Sequence, residues 1–264
     1  MADGPGSFSL RRLSIVVPAK DEARRLRASL EHLVSFSSTQ PYAVEIIVVD
    51  DGSTDATAEI ARDAARALEA RGSSNVTLRL LQHERNRGKG GAVRTGALAA
   101  SGDAILSFDA DMAMPPEDAS KLLAALAAGA DVAAGSRIQP GGRDLRASQP
   151  AWRRIGGRIF AMTRRSLLLP DIEDTQCGFK AFRREAAGDL FARQRLDGWA
   201  FDAELLYLAR RLGYRIEQVP ITWRHVEDSQ FKLSLRSALR EIGDLLRIRW
   251  MHRHASREGE ARST

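Results

Sequence analysis

The sequence predicts an α/β fold, with a mainly parallel central sheet covered by helices on both faces. Strand and helix patterns alternate through the first half of the chain, and the predicted strands are continuous apolar runs. Both features are typical of parallel sheets, because the crossover helices bury both sides of every strand. With 264 residues, the chain is long enough for one large domain of this kind or two small ones.

The elements follow in chain order. In the first half, predicted strands and helices alternate as Leu13–Val17, Glu22–Phe36, Val44–Val49, Thr54–Ala70, Val76–Leu81, Gly88–Ala100, Ala104–Phe108, Pro116–Ala128 and Val132–Ala134. The second half breaks this rhythm with a Gly/Pro/Arg-rich loop at Gln139–Pro150. It continues with a basic helix, turns with a short strand, a helix, two extended segments and a long helix, at Trp152–Leu169, Asp171–Phe182, Ala203–Leu212, Arg215–Val219, Ile221–Trp223 and Leu233–Trp250.

Composition excludes several classes of protein. Hydrophobic residues make up 44% and charged residues 28%, which argues against a disordered chain. The single cysteine, Cys177, excludes an internal disulfide framework, and no Cys/His cluster has the spacing of a zinc finger. No apolar run approaches the roughly 18 residues that a transmembrane helix needs, and Met1–Ser9 lacks the apolar core of a signal peptide. We therefore expect a cytoplasmic, reducing location.

Charge is distributed unevenly along the chain. Residues 8–136 carry 15 Lys/Arg and 17 Asp/Glu, whereas residues 137–264 carry 25 and 16. The first part is thus slightly acidic and the second strongly basic. This asymmetry favours an anionic partner for the second half, either nucleic acid, a phosphorylated substrate or a membrane surface. The alternative is an arginine-rich surface that is merely solvated.

Paired carboxylates at a strand end are the leading candidate for a functional site. Asp109 and Asp111 follow a predicted strand, and in an extended D-x-D both side chains point the same way. Two hard oxygen ligands suit Mg²⁺ or Mn²⁺ held jointly with a diphosphate. The alternative is an ordinary strand-to-helix turn, where Asp is common.

Neighbouring strand ends carry further charged residues. Asp50 and Asp51 end the second strand, and the segment Pro18–Glu22 ends the first. Asn86–Gly91 is a Gly-rich entry to a helix, whose free N–H groups, together with Lys89 and Arg94, would favour phosphate. It matches neither a P-loop nor a dinucleotide fingerprint. Because ligands of such sheets bind beyond the carboxyl ends of the strands, these residues are where we expect the chemistry. The alternative for Asn86–Gly91 is a flexible helix N-terminus without a ligand.

The ordered motifs resemble family-2 glycosyltransferases of the GT-A fold over roughly residues 12–250. The matching segments read VVPAKDE, VDDGSTD, NRGKG and DAD in the first half, then GSR, DTQCGFK, WAFDAE and VPITW. The later motifs are most similar to dolichyl-phosphate β-glucosyltransferases and their prokaryotic relatives. By this resemblance, residues 11–230 form the GT-A domain, between an N-terminal tail (1–10) and a C-terminal helix (231–254) with a polar tail (255–264).

The resemblance also implies roles for individual residues. Pro18, Lys20, Glu22 and Asp51 would line the nucleotide pocket, while Lys89 and Arg94 would lie near the base or the diphosphate. Asp109 and Asp111 would hold the divalent metal and the sugar diphosphate, and Arg137 and Arg154 would face an acceptor phosphate. The sequence departs from the family's pattern at Gly157, where a Ser is frequent, and at Asp228–Gln230, where Gly-Ser-Lys is frequent.

The implied reaction is the transfer of a hexose, with inversion, from a nucleotide sugar, UDP-glucose by resemblance, to a polyprenyl or dolichyl phosphate. An alcohol acceptor would need a general base, for which Asp174 and Asp202 are candidates, whereas Asp111 would take part in catalysis through the metal. The alternative for Asp202 and Glu204 is that they orient the sugar or cap the following helix. A phosphate acceptor is already ionised, and the eight arginines within Arg137–Arg165 would suffice to position it. We interpret Trp199 as a core aromatic, with contact to sugar as the alternative.

Three other functions stay open at this point. The acceptor is alternatively a soluble phosphorylated or hydroxyl compound. A nucleic-acid-binding protein would use the basic half but would leave the Asp clusters unexplained and lacks a recognisable binding motif, so we expect no nucleic-acid partner. A degenerate sugar-nucleotide-binding protein is hard to reconcile with the intact Asp109 and Asp111.

The predicted C-terminal helix combines an apolar stripe with positive charge. The stripe consists of Leu235, Leu239, Ile242, Leu246 and Trp250. A basic amphipathic helix of this kind favours peripheral binding to the cytoplasmic face of an anionic membrane. The alternative is a helix whose stripe packs on its own domain.

Overall fold

A computed structural model describes residues 8–72, 75–142, 144–145, 168–224 and 235–255, with the backbone alone for 235–242. The strands are β1 (Arg12–Ala19), β2 (Ala43–Asp50), β3 (Val76–Gln82), β4 (Ala104–Ser107), β5 (Val132–Ser136), β6 (Lys180–Arg183) and β7 (Ile216–Pro220). The helices are α1 (Leu26–Ser38), α2 (Thr57–Ala70), α3 (Lys89–Ala99), α4 (Ala119–Ala127), α5 (Arg184–Arg193), α6 (Phe201–Arg211) and α7 (Leu235–Met251), and Pro116–Asp118 forms a 3₁₀ turn.

The described strands form a seven-stranded sheet in the order β3-β2-β1-β4-β6-β5-β7. Strands β3, β2, β1 and β4 are parallel, as are β5 and β7, whereas β6 runs antiparallel to both of its neighbours. The predicted mainly parallel sheet is thus confirmed. Because β1, β2 and β4 run the same way, their carboxyl ends lie at one edge of the sheet.

Both faces of the sheet are buried, which explains the continuous apolar runs. Along β1, Ile15 and Val17 pack against α1, α2 and α4, whereas Val16 between them packs against α3, α5, α6 and α7. Along β2, Ile46 and Val48 face the first of these layers, and Ile47 and Val49 the second. Successive side chains of a strand point to opposite faces, so each must be apolar where both faces carry helices.

Two helices begin later than the sequence predicts. The helix expected from Glu22 begins at Leu26, and the helix expected from Thr54 begins at Thr57. The residues in between bind the neighbouring loop: the Glu22 N–H donates to Thr57 Oγ1 (2.7 Å), and the Thr54 N–H donates to Asp21 Oδ1 (2.8 Å). These bonds hold the loops after β1 and β2 together, and each helix begins only after the segment that forms them.

Other predictions in the second half have mixed outcomes. Helix α5 was not predicted, because Gly188 and its charged neighbours weaken the helical pattern of that segment. Ile221–Trp223 continues beyond β7 without pairing as a strand. Most of the helix expected at Trp152–Leu169 and nearly all of the tail at 255–264 lie outside the described residues.

Helix α7 presents apolar side chains in two directions. Leu245 and Ile248 are buried against the second helical layer. Leu246 and Trp250, which belong to the predicted stripe, are 54% and 66% exposed, so this part of the stripe does not pack on the domain. The side chains of Leu235, Leu239 and Ile242 lie outside the described part, and the amphipathic character of the whole helix stays a prediction. Among the described residues, none of the helices has the length and apolar character needed to cross a membrane.

Candidate active site

The D-x-D segment and the Gly-rich helix entry meet at the carboxyl edge of the sheet. Asp109 and Asp111 follow β4, and Lys89 is the first residue of α3, which follows β3. Lys89 Nζ lies 2.7 Å from Asp109 Oδ1. Asp111 Oδ1 accepts the Ala113 N–H at 3.0 Å. The expected convergence of strand ends is therefore present, and it brings a cation and two carboxylates together.

The charges of this cluster perturb one another. Burial raises the pKa of Asp111, and the adjacent Asp109 carboxylate raises it further. Burial would lower the pKa of Lys89, but the carboxylates of Asp109, Asp202 and Asp111 outweigh this effect and raise it. Because Lys180 is paired with Asp202, the carboxylates of Asp109 and Asp111 share only Lys89, so the cluster favours an additional cation.

The donor set fits a divalent metal that is shared with a ligand. Where the structure describes side chains, no group of three or more His, Cys, Asp or Glu residues is arranged to hold a metal. Asp109 and Asp111 nevertheless offer hard carboxylate oxygens, and Mg²⁺ is typically held by one or two carboxylates together with substrate phosphates. The predicted ligands are therefore suited to Mg²⁺ or Mn²⁺ accompanied by a diphosphate.

Glu22 forms an ion pair with Arg25, a residue that the sequence analysis missed. Arg25 Nε and Nη2 donate to the Glu22 carboxylate at 2.8 and 3.0 Å. Burial raises the pKa of Glu22 despite this pair, and the Arg25 charge only partly offsets the rise in the pKa of the nearby Asp111 carboxyl. Arg25 follows Glu22 by three residues, so the i,i+3 spacing of opposite charges was the available signal.

Lys20 and Pro18 lie at the end of β1, where the sequence analysis expects the nucleotide. Lys20 Nζ lies 2.6 Å from Asp21 Oδ2. Pro18 is paired with Val49 of β2, which places it at the same edge. Their predicted role in nucleotide binding stays a prediction.

Asp51 organises the loop that leads into α3. Its Oδ1 accepts the Arg87 N–H (2.9 Å) and lies 2.7 Å from His83 Nδ1, and its Oδ2 accepts the Gly88 N–H (2.8 Å). Asp51 is buried, and both of its carboxylate oxygens have protein partners. Asp51 therefore fixes the shape of the loop that leads into α3, and its predicted contact with the nucleotide stays a prediction.

We expect Asp51→Asn to destabilise the protein by about 2–3 kcal/mol, because the new NH₂ group faces buried donors instead of accepting from them. The measurement is urea unfolding followed by circular dichroism. Asp63→Asn is the matched control, since Asp63 lies on the exposed surface of α2 near Arg66 (3.8 Å), and we expect a change within about 0.5 kcal/mol. Equal stability of the two variants would contradict the structural role of Asp51.

Asp174 and Arg137, predicted as a base and an acceptor ligand, are paired with each other. Asp174 Oδ2 accepts Arg137 Nε–H at 2.7 Å and the Arg137 N–H at 3.0 Å, and Oδ1 accepts from Nη2 at 2.8 Å. The Asp174 side chain is fully buried. Despite burial, the Asp174 carboxylate raises the pKa of Arg137, so the guanidinium stays charged. A carboxylate held in this way is suited to orient Arg137 rather than to accept a proton.

Asp174→Ala is expected to cost about 3–5 kcal/mol of stability, because it leaves the Arg137 charge without its buried partner. Chemical denaturation measures this loss. Asp189→Ala, which removes partly exposed contacts with Arg193 and with the Tyr214 hydroxyl, serves as the control and should cost only about 1–2 kcal/mol. Full stability of Asp174→Ala combined with lost activity would instead support the catalytic-base hypothesis.

Asp202, in the first turn of α6, and Trp199, just before this helix, complete the cluster. Asp202 Oδ1 accepts from Lys180 Nζ, which also donates to the Cys177 carbonyl. Trp199 is 47% exposed, and Lys89 Nζ lies 5.2 Å from its ring centroid. The expectation that Trp199 is a core aromatic is therefore wrong, because the loop 194–200 holds its ring at the rim of the charged cluster.

The remaining candidates lie away from the carboxylates or outside the described residues. Arg94 donates to the Phe191 and Ala192 carbonyls (2.9 and 3.4 Å), at the end of α5. Arg154 lies outside the described part of the chain.

The buried Glu204 accepts the N–H groups of Arg195 and Leu196 (2.9 and 2.8 Å), and its Oε1 lies 2.6 Å from His252 Nε2, so it anchors loop 194–200. Burial raises the pKa of the Cys177 thiol to about 11, which argues against a nucleophilic role.

Comparisons with known proteins agree with this arrangement. The family model described as Glycosyl transferase family 2 matches residues 14–191. The dolichyl-phosphate beta-glucosyltransferase of Dictyostelium discoideum is 35% identical over 91% of this chain and 74% of its own length. The Homo sapiens enzyme of the same name is 34% identical over 90% of this chain and 75% of its own length.

A solved structure supports the fold. Glucosyl-3-phosphoglycerate synthase from Mycobacterium tuberculosis, in complex with Mn²⁺, UDP-glucose and phosphoglyceric acid, superimposes with a TM-score of 0.63 at 21% identity, covering 90% of this chain and 79% of the synthase. The same synthase has also been crystallised with Mg²⁺ and UDP. With the family model and the curated relatives, this places the chain in glycosyl transferase family 2, as a glycosyltransferase of the GT-A fold.

Proposed function

We propose that this protein is an inverting glucosyltransferase that moves glucose from UDP-glucose to a polyprenyl or dolichyl phosphate. The observation that carries the proposal is the meeting of Asp109, Asp111 and Lys89 at the carboxyl edge of a GT-A sheet. The names of the curated relatives, which are dolichyl-phosphate beta-glucosyltransferases, support the choice of sugar and acceptor.

The donor would bind at the carboxyl edge. Asp109 and Asp111 would hold Mg²⁺ or Mn²⁺, which supplies neutralising charge to the departing diphosphate. Lys89 would add a fixed positive charge beside it, because its ammonium group already lies at Asp109. Pro18, Lys20, Glu22 and Asp51 would form the nucleotide side of the pocket.

The acceptor would need positioning rather than deprotonation. A phosphate monoester is ionised at neutral pH, so its oxygen attacks without a general base. Arg137, held by Asp174, and Arg154 would orient this phosphate. Asp202, already bound to Lys180, would position groups around the sugar rather than act as a base.

A second candidate acceptor is a soluble phosphorylated compound. The observation that favours it is the complex of the Mycobacterium tuberculosis synthase with phosphoglyceric acid, an acidic acceptor that needs no membrane. The same basic groups would serve for either acceptor, since both present a phosphate.

The deciding experiment measures transfer of labelled sugar from a panel of UDP- and GDP-sugars, with Mg²⁺ or Mn²⁺, to polyprenyl phosphate or to soluble phosphorylated compounds. Extraction into organic solvent separates lipid products from soluble ones. Label from UDP-glucose in the lipid phase would support the proposal. Label in the aqueous phase alone would favour the soluble acceptor, and no transfer from any nucleotide sugar would refute both.

Arg154→Ala is expected to raise the KM for the acceptor by about tenfold, because one charged hydrogen bond to phosphate is lost. Binding of UDP-glucose, followed by calorimetry, should change little. Arg66→Ala, at an exposed residue of α2, is a control of equal charge. Equal losses of donor and acceptor binding would contradict the role assigned to Arg154.

A further inference from the structure

The outer side of the second helical layer concentrates arginines around the end of α7. A cavity of about 650 Å³ between α6 and α7 is lined by Arg210, Arg211, Arg249 and Arg253. A second cavity of about 670 Å³ is lined by Arg94, Arg193 and Arg195 together with two histidines that follow α7, His252 and His254. We refer to the arginines of both cavities as the arginine surface.

Acidic side chains neutralise only part of this charge. Arg210 Nη2 lies 2.8 Å from Asp171 Oδ2, and Arg193 Nε lies 2.5 Å from Asp189 Oδ1. His252 is turned inward to the buried Glu204. Among the residues that the structure describes, these arginines outnumber the carboxylates that they contact, and the arginine surface attracts anions.

Large apolar side chains project beside the arginine surface. Leu246 and Trp250 lie one helical turn apart on α7, and both are more than half exposed. The Arg253 guanidinium lies 4.9 Å from the centroid of the Trp250 ring. Exposure of large apolar groups is unfavourable in water, and Trp beside cations is the pairing found where proteins meet lipid headgroups. The site around Asp109 uses none of these residues.

We propose that the arginine surface, together with Leu246 and Trp250, docks this protein on a membrane that contains anionic phospholipids. The arginines would contact headgroup phosphates, and the two apolar side chains would enter the boundary between headgroups and acyl chains. Nucleic acid offers the same phosphate charge, but it gives no role to the exposed Leu246. Docking goes beyond the proposed reaction and requires neither donor nor acceptor.

The test is co-sedimentation of the full chain with phosphatidylcholine vesicles, with and without phosphatidylglycerol. We expect binding only when phosphatidylglycerol is present, and weaker binding as salt increases. The double variants Leu246→Ser/Trp250→Ser and Arg249→Glu/Arg253→Glu should each lose at least about tenfold in affinity. Arg66→Glu, which places the same change of charge on α2 in the other helical layer, is the matched control and should bind like the wild type.

Several outcomes would overturn the proposal. They are failure of the wild type to bind phosphatidylglycerol vesicles, unchanged binding by both double variants, and displacement of the vesicles by nucleic acid that occupies the same arginines. Circular dichroism verifies folding, and the single change Trp250→Ser, at a side chain that is 66% exposed, keeps the test decisive if a double variant does not fold. Normal sugar transfer without vesicle binding would remove the docking surface and leave the proposed reaction intact.

Discussion

Asp111→Asn should lower sugar transfer by about 10³-fold, which is the loss expected when a charged group that stabilises the leaving diphosphate is removed. Stabilisation of the fold by UDP with Mn²⁺ should also disappear, because the asparagine oxygen is a weaker metal ligand than a carboxylate. Initial rates with labelled UDP-glucose and thermal unfolding with and without ligand measure the two effects.

The same substitution should leave the ligand-free protein at least as stable as the wild type. Burial and Asp109 raise the pKa of Asp111, which means that the ionised side chain is unfavourable in the folded state. A neutral asparagine removes this repulsion, and its oxygen can still accept the Ala113 N–H. Lost activity with lost stability would contradict this account. Glu117→Gln, at an exposed pair with His32, is the control.

Gly178→Ala is expected to lower transfer by about 10²-fold although the protein still folds. A Cβ atom at this position would lie 2.7 Å from Asp109 Oδ2 and 2.9 Å from both Asp109 Oδ1 and Lys89 Nζ. These atoms end flexible side chains, so they can move aside at little cost in stability, but the Asp109–Lys89 pair then loses its geometry. Transfer rates at saturating donor and chemical denaturation measure the two consequences.

Gly188→Ala is the matched control for this change. A Cβ at Gly188, on α5, meets nothing within 4 Å, and alanine is favoured over glycine inside a helix by about 1 kcal/mol. The control should therefore keep its activity and gain slightly in stability. Wild-type activity in Gly178→Ala would show that the close packing around Asp109 is not required for the reaction.

The sequence predicted the parallel half of the sheet well, because burial on both faces forces continuous apolar strands such as β1 and β2. The antiparallel β6 could not be predicted, since four residues, Lys180–Arg183, have no period that distinguishes their direction. For the site, position after a strand sufficed to bring Asp109, Asp111 and Lys89 together. The ion pairs Arg137–Asp174 and Lys180–Asp202 could not be predicted from position in this way, because each pair joins residues that are far apart in the chain.

The solvent exposure of large aromatic side chains was harder to predict than the position of the site residues at the strand ends. Trp199 and Trp250 are large aromatics that base rates assign to a core, but each lies beside a cation at the surface. What decides their exposure is the path of a loop and the rotation of a helix, and neither follows from local composition.

The contact between Glu204 and His252 makes the residues that follow α7 a structural support of the loop that carries Trp199. Glu204 accepts two backbone N–H groups of loop 194–200 and so holds this loop in place. The same loop contacts α3, where the Gly91 N–H donates to the Asp197 carbonyl (3.2 Å). Removal of the residues from His252 onward would therefore weaken the contacts that hold the loop with the Trp199 ring in place. The residues that follow α7 thus stabilise a loop beside the Asp109 cluster. Purification tags or truncations at these residues should be chosen with that contact in mind.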